Sequence, residues 1–154
     1  MAYTSRTLDA PLVAVWDVLI DPYTYPDWLI GADKIRDLDD SWPAVGSRFH
    51  HRVGIGWLSI PDNTEIIDIE DREMLRLAVR ARPIVSAVVT IRLVSDGAGT
   101  TVVSMEEEPS VRLLGNLVRP ILDPTIHVRN HRSLRRLDHL LGERRSGVDT
   151  SDAG

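Results

Sequence analysis

The segment PILDPTIHVRNHRSLRRLDHLLGERR, Pro120 to Arg145, carries the only long helical period in this sequence. Ile126, Leu134, Leu137 and Leu141, flanked by Leu122 and Leu140, recur at three- and four-residue steps and so line one face of a helix. An apolar stripe of that length has to be covered. The rest of the chain offers about six short β-like runs and one other amphipathic helix, so the expected cover is a curved antiparallel sheet wrapped around the last helix. The fold class is α+β, and such a layout leaves a cavity between helix and sheet.

Before that segment the period is mostly two. Phe49, His51 and Val53 alternate with Arg48, His50 and Arg52, which turns the first set inward and makes His51 an inward histidine. The same rule points Leu75, Leu77, Val79 and Ala81 inward, then Ala87, Val89, Ile91 and Leu93, then Val103, Met105 and Glu107. Glu65 to Ile69 is also a strand, but both facings fit its pattern. Turn chemistry marks Pro61-Asp62-Asn63, Glu70-Asp71-Arg72, Arg82-Pro83, Asp96 to Gly99 and Glu108-Pro109-Ser110 as the strand connections. Short connections mean hairpins and an antiparallel meander of about seven strands, counting Tyr3 to Leu8 at the start. After that first strand, Asp9-Ala10-Pro11 introduces a helix with Leu12, Val15, Trp16 and Leu19 at helical spacing. Two prolines in DPYTYPDW stop it, and a one-turn helix or tight turn follows, with Tyr23, Tyr25 and Trp28 expected to pack at the helix end or the cavity rim.

Composition limits the function. A chain of 154 residues suits one domain, expected over 1–145, with the small polar stretch SGVDTSDAG at 146–154 as a disordered tail. Cysteine is absent, which removes disulfides, thiolate catalysis and cysteine-ligated metals. A net charge of -5 argues against nucleic acid as the main partner, and the arginines at 129, 132, 135, 136, 144 and 145 read as a solvated outer face of the last helix. No apolar run approaches a membrane span, and the N-terminus has no signal-peptide pattern, so the expected location is cytoplasmic. His127 and His131 stand four apart but lack the glutamate of a zinc-protease helix, and they read as a solvated pair with no metal. Neither a phosphate-binding glycine loop nor a nucleophile elbow is present, and no cofactor is expected.

The order strand, helix, short helical turn, six strands and long helix is that of the helix-grip fold, and over residues 3 to 143 the chain resembles the START-like superfamily, in particular the bacterial polyketide cyclase/dehydrase and lipid-transport family. The resemblance rests on DAPLVAVWDVLIDPYTYPDW with Pro11, Trp16, Asp21-Pro22 and Trp28, on VGSRFHHRVGIG, on EDREMLRLAVRARP, on Glu106 to Pro109 and on RNHRSLRRL. It implies a deep apolar pocket serving either lipid and small-ligand binding or the ring closure of an aromatase/cyclase. In GIGWLSIP the chain departs from the family, with Trp57 where its relatives commonly carry proline.

Inside such a pocket the stripe of the last helix adds Asn130 and Ser133 to Ile126 and Leu137, so four polar groups point inward: His51, Glu107, Asn130 and Ser133. The residues expected around a ligand are Trp28, Phe49, His51, Val53, Trp57, Leu77, Val79, Val89, Ile91, Met105, Glu107, Ile126, Asn130 and Ser133. No catalytic residue is assigned, and His51 and Glu107 are the candidates if there is chemistry, since a cyclase needs an acid or base near an enolisable carbonyl. The apolar stretches Ile55 to Ile60, after Gly54 and Gly56, and Val111 to Val118 either cover the barrel ends or act as lids. The expected function is binding or transport of a hydrophobic or aromatic small molecule. The alternatives are a cofactor-independent cyclase, aromatase or dehydratase, and a protein-interaction module using the apolar loops. Nothing in the sequence specifies an oligomeric state.

Overall fold

Period-two alternation becomes a single seven-stranded antiparallel sheet, seen in a computed structural model that describes residues 1–55, 58–81, 85–111 and 115–151, with side chains described at 1–51, 62–80, 86–109 and 124–147. The elements in chain order are β1 (Ala2–Leu8), α1 (Leu12–Leu19), a 3-10 turn (Pro22–Thr24), α2 (Tyr25–Trp28), β2 (Asp37–Leu38), β3 (Arg48–Ile55), β4 (Leu58–Glu70), β5 (Met74–Ala81), β6 (Val85–Ser95), β7 (Thr101–Val111) and α3 (Gly115–Ser151). The sheet order is β1-β7-β6-β5-β4-β3-β2. Strands β2 to β7 therefore form a plain meander, and β1 crosses to close its far edge against β7. This is the expected helix-grip layout, with α3 across the concave face.

The expected facings hold in four strands. Phe49 and His51, Leu75 and Leu77, Ala87, Ile91 and Leu93, and Val103, Met105 and Glu107 are all buried, while Arg76 and Arg92 between them are exposed. Strand β4 is different. Its pairing with β5 shifts between Ile66, opposite Leu77, and Asp68, opposite Arg76, so Ile67 is an extra residue. Before this bulge Asp62, Thr64 and Ile66 point inward, whereas after it Ile69 packs on the core. A bulge reverses facing within one strand, which is why no single parity fits Glu65 to Ile69.

Two expected turns are strand interiors. Pro61 and Pro109 pair with Arg52 and Ala87 respectively. Each sits where one flank of its strand has run out, Pro61 before the Asn63–Arg80 pair that begins the β4–β5 ladder and Pro109 past the Ala2–Glu107 pair that ends β1–β7. Proline is tolerated on such one-sided stretches because a ladder bond is not required of it there. True turns fall at Asp71–Glu73, where Arg72 has φ 61°, and around Gly97 and Gly99 at φ 81° and 73°, where Asp96 accepts from Ala98 N and Thr100 Oγ1. Arg82-Pro83 lies outside the described residues. After Gly54, Ile55 is already opposite Leu58, so Leu58 and Ile60 belong to strand β4.

Helix α3 starts earlier and ends later than its apolar stripe. Its backbone runs from Gly115, inside the stretch read as a lid, to Ser151, inside the stretch read as a tail. Extending an existing helix costs little, since nucleation is already complete, and Ser146 Oγ donates to Gly142 O within the extension. Leu134, Leu137 and Leu141 are buried against Leu8, Val15, Trp16, Leu19, Leu93 and Val103 in one apolar cluster. Polar contacts lock the same end. Arg6 of β1 donates from Nε and Nη2 to Asp138 Oδ2 at 3.2 and 3.0 Å, Asp9 N donates to Asp138 Oδ1 at 3.2 Å, and Arg145 Nη2 donates to Asp9 Oδ2 at 2.8 Å. The Arg145 guanidinium holds the exposed Asp9 carboxyl below its usual range.

Candidate functional site

Beside Arg129 and Asn130 of α3 the sheet and helix leave a gap, and a cavity of about 340 Å³ remains there. Its floor is the inward face of β5 to β7, with Leu77, Val79, Ala87, Val89, Ile91 and Met105. One wall is aromatic. Tyr25 stacks edge-on against both Trp28 and Phe49, with ring centroids 5.3 and 5.4 Å apart, and its hydroxyl donates to Leu19 O at 2.6 Å. Trp28 Nε1 donates to Thr24 Oγ1 at 3.3 Å. These bonds use up the polar ends of both rings, so only apolar surface faces the void. Burial, with Asp21 adding to it, pushes the Tyr25 phenol far up. Tyr23, expected in the same cluster, is exposed, because the 3-10 turn rotates it away from the two buried rings.

Leu29 to Ala32 form the rim. Ser133 of α3 pins that rim, accepting from Ile30 N at 3.0 Å and donating to Arg129 O at 3.0 Å. Gly31, at φ 95°, lets the chain turn there without a Cβ.

Besides Thr64, two clusters of polar side chains break the apolar lining. In the first, Glu107 of β7 meets α3, where its Oε2 accepts from Arg129 Nη2 and, at 3.2 Å, from Asn130 Nδ2. Arg129 also donates from Nε and Nη2 to Asn130 Oδ1 at 3.3 and 3.1 Å. Three side chains thus satisfy one another across the sheet–helix gap. In the second, His51 and Asp62 stand directly opposite each other on β3 and β4. His51 Nε2 lies 3.6 Å from Asp62 Oδ2, too far for a hydrogen bond. His51 Nδ1 and both Asp62 oxygens have no hydrogen-bond partner among the described residues. Burial pulls the His51 imidazole below its usual range, reinforced by His50 and opposed by Asp33. It pushes the Asp62 carboxyl up, against the backbone N–H groups of Asn63 and Arg80, which stabilise the anion without reaching bonding geometry.

Of the residues expected around a ligand, Trp28, Phe49, His51, Leu77, Val79, Val89, Ile91, Met105, Glu107 and Asn130 line this cavity. Ile126 and Ser133 are buried beside it without lining it. The Val53 side chain and Trp57 lie outside what the structure describes. His51 and Glu107 share the cavity, but each has its own polar neighbour. Sequence reasoning missed Asp62, taken for a turn residue, and Arg129, taken for part of the solvated face. A two-residue connection between Ile55 and Leu58 fixes every later pair of that hairpin, so reading it as a hairpin finds Asp62 opposite His51. His127 and His131 are exposed, and His127 Nδ1 lies 3.0 Å from Tyr3 O and 3.2 Å from Thr4 Oγ1.

The comparisons agree with this geometry. Residues 2–142 match the family model described as polyketide cyclase / dehydrase and lipid transport. Among solved structures, the chain is similar to the Zhui aromatase/cyclase from a Streptomyces species, at 17% identity and a TM-score of 0.75 with 93% of each chain covered. It is also similar to a conserved protein from Geobacillus kaustophilus, at 16% identity and a TM-score of 0.72 with 92% of this chain and 94% of that one covered. A protein from Mesorhizobium loti follows, at 21% identity and a TM-score of 0.68, with 92% and 96% covered. At these identities the likeness is one of fold. A comparison with curated proteins finds no match. Among the described residues no helix is long and apolar enough to cross a membrane.

Proposed function

The chain belongs to the polyketide cyclase / dehydrase and lipid transport family, and from that premise we propose that it binds a hydrophobic or aromatic small molecule in the cavity between its sheet and α3. The observation that carries this reading is the apolar void of about 340 Å³, which falls within the size of small-ligand pockets. A core that only had to be stable would have no such gap, since each missing contact forfeits packing energy. The aromatic wall of Tyr25, Trp28 and Phe49 favours a flat or polycyclic ligand.

A second reading, cofactor-independent cyclisation or dehydration of a polyketide-like substrate, draws on one feature. His51 and Asp62 adjoin in an apolar site where burial lowers the His51 imidazole and raises the Asp62 carboxyl, and perturbed titratable groups cluster at functional sites.

Native mass spectrometry of protein purified from its own host tests occupancy, and titration with naphthalene or anthracene followed by their fluorescence tests the cavity. A retained small mass, or saturable binding at micromolar concentration, is expected. If neither aromatic binds, the reading fails. Conversion of a bound poly-β-ketone to a ring, lost in His51→Gln, favours the enzyme.

A further inference from the structure

Resting on the ligand-binding reading, we propose that His51 and Asp62 form a subsite for one hydroxyl group of a neutral ligand, a phenol or enol, and that the cavity rejects carboxylates.

The argument starts from what the pair lacks. Both side chains are more than nine-tenths buried and both line the cavity, yet His51 Nδ1 and the two Asp62 oxygens have no hydrogen-bond partner among the described residues. Buried polar atoms are nearly always paired, because leaving one unpaired forfeits its hydration with nothing in return. Glu107, in the same cavity, shows the ordinary solution, since Arg129 and Asn130 both donate to it. Apart from the nearby backbone N–H groups of Asn63 and Arg80, which do not reach bonding geometry, the His51–Asp62 pair has unused bonding capacity that a third group can fill.

The pair specifies that group. Asp62 offers acceptors, and its neighbour offers a ring nitrogen that donates or accepts according to tautomer. A hydroxyl can donate to one and accept from the other, so it serves both at once. A ketone or ether can only accept and leaves the Asp62 carboxylate unserved. The ring that carries the hydroxyl would lie along Phe49, whose centroid is 5.2 Å from that of His51, with Leu77 and Ile91 below it.

Charge excludes the other obvious lipid group. Asp62 and Glu107 both line the cavity, and the one arginine that lines it among the described residues, Arg129, is already committed to Glu107. A ligand carboxylate would meet a second anion with no lysine or arginine left among the described lining residues to offset it.

Four probes of one shape separate the outcomes: naphthalene, 2-naphthol, 2-methoxynaphthalene and 2-naphthoate, titrated calorimetrically into the full chain. Naphthol should bind about tenfold more tightly than the methyl ether, the gain of one buried hydrogen bond, and naphthoate most weakly of the four. In Asp62→Leu the naphthol preference should fall to about one with naphthalene binding retained, and in Asp62→Asn naphthoate should bind more tightly than it does to wild type. Equal affinity of wild type for naphthol and its methyl ether overturns the subsite while the cavity reading stands. So does a naphthol preference that persists in both Asp62→Leu and His51→Phe. Should Asp62→Leu not fold, the wild-type ratio and His51→Phe decide. If naphthalene itself does not bind, the cavity reading and the subsite fall together.

Discussion

The two halves of α3 face one sheet and treat it in opposite ways. Towards its C-terminal end Leu134, Leu137 and Leu141 are buried in the apolar cluster that also holds Leu93, Val103 and residues of β1 and α1. One to two turns earlier the same stripe carries Asn130 and Ser133, and the sheet opposite, at Val89, Ile91 and Met105, faces a void. Strands β5, β6 and β7 take part in both ends, since Leu75 and Leu77, Leu93 and Ile91, and Val103 and Met105 are two residues apart on the same inward faces. Leucines fill the curve of the sheet, whereas at Asn130 a polar side chain turned to Glu107 leaves the space beside it open, and Ser133 is taken up by the rim at Ile30.

The comparison breaks most easily at Leu137, which is fully buried. Leu137→Asp should cost about 4 kcal/mol or more, enough to unfold most of the chain, read as loss of a cooperative urea transition. An unchanged transition would falsify the packed end. Next, truncations of equal kind should differ between the ends. Leu134→Ala should cost about 2–5 kcal/mol, whereas Ile91→Ala should cost about 1–2 kcal/mol, because its side chain already lacks neighbours on the cavity side. Equal losses in the two melts would show that the hollow end is packed as tightly as the other.

Val89→Phe sharpens the contrast from the other direction. Filling the void should change stability by less than about 1 kcal/mol, since nothing has to be displaced, while weakening naphthalene binding by about tenfold or more. The smallest expected effect is on pH dependence. The folded His51 pKa lies below its ordinary 6.5, so the folded protein takes up that proton less readily than the unfolded chain. Its contribution is full above pH 6.5 and is lost as pH falls below that value towards the folded pKa. Asp62 acts in the opposite sense, its folded pKa lying above 3.8, so its contribution is full below that value and is lost as pH rises through the folded pKa. His51→Gln should thus reduce the drop in melting temperature between pH 7 and about pH 5, and Asp62→Asn should raise the melting temperature at pH 7. Parallel melts of wild type and both variants at the two pH values check the signs.

What could be read in the sequence tracks the regularity of the chain. The stripe of α3 and the alternations of β3, β5, β6 and β7 are legible because nothing interrupts their period. Strand β4 was opaque because Pro61 imitates a turn and the bulge at Ile67 switches the facing midway. With β4 went Asp62, since its position opposite His51 is a fact of register, and register follows from where a hairpin turns. Glu107 and its partner Asn130 were visible as inward residues, but its second partner was not. Arg129 sits beside the stripe, and its long side chain reaches back over the helix surface to the carboxylate, a path that a face assignment by Cα position cannot show.

Strand β1 gives the fold one more property, which concerns time. It is made before the other six strands, yet its strand partner is β7, beginning with Leu8 opposite Thr101, and its helix contacts are to His127 and Asp138. Strands β2 to β7 each pair with the strand before or after them, so the meander can assemble in step with synthesis. At roughly 5–20 residues per second, β1 must wait about 5–20 s after it is made before Thr101 exists. During that interval the residues it later buries, Ala2, Thr4 and Leu8, have no place to go. The edge of β7 that it later covers also remains free until the two ends of the chain meet, and whatever shields the nascent chain has to act on those two edges.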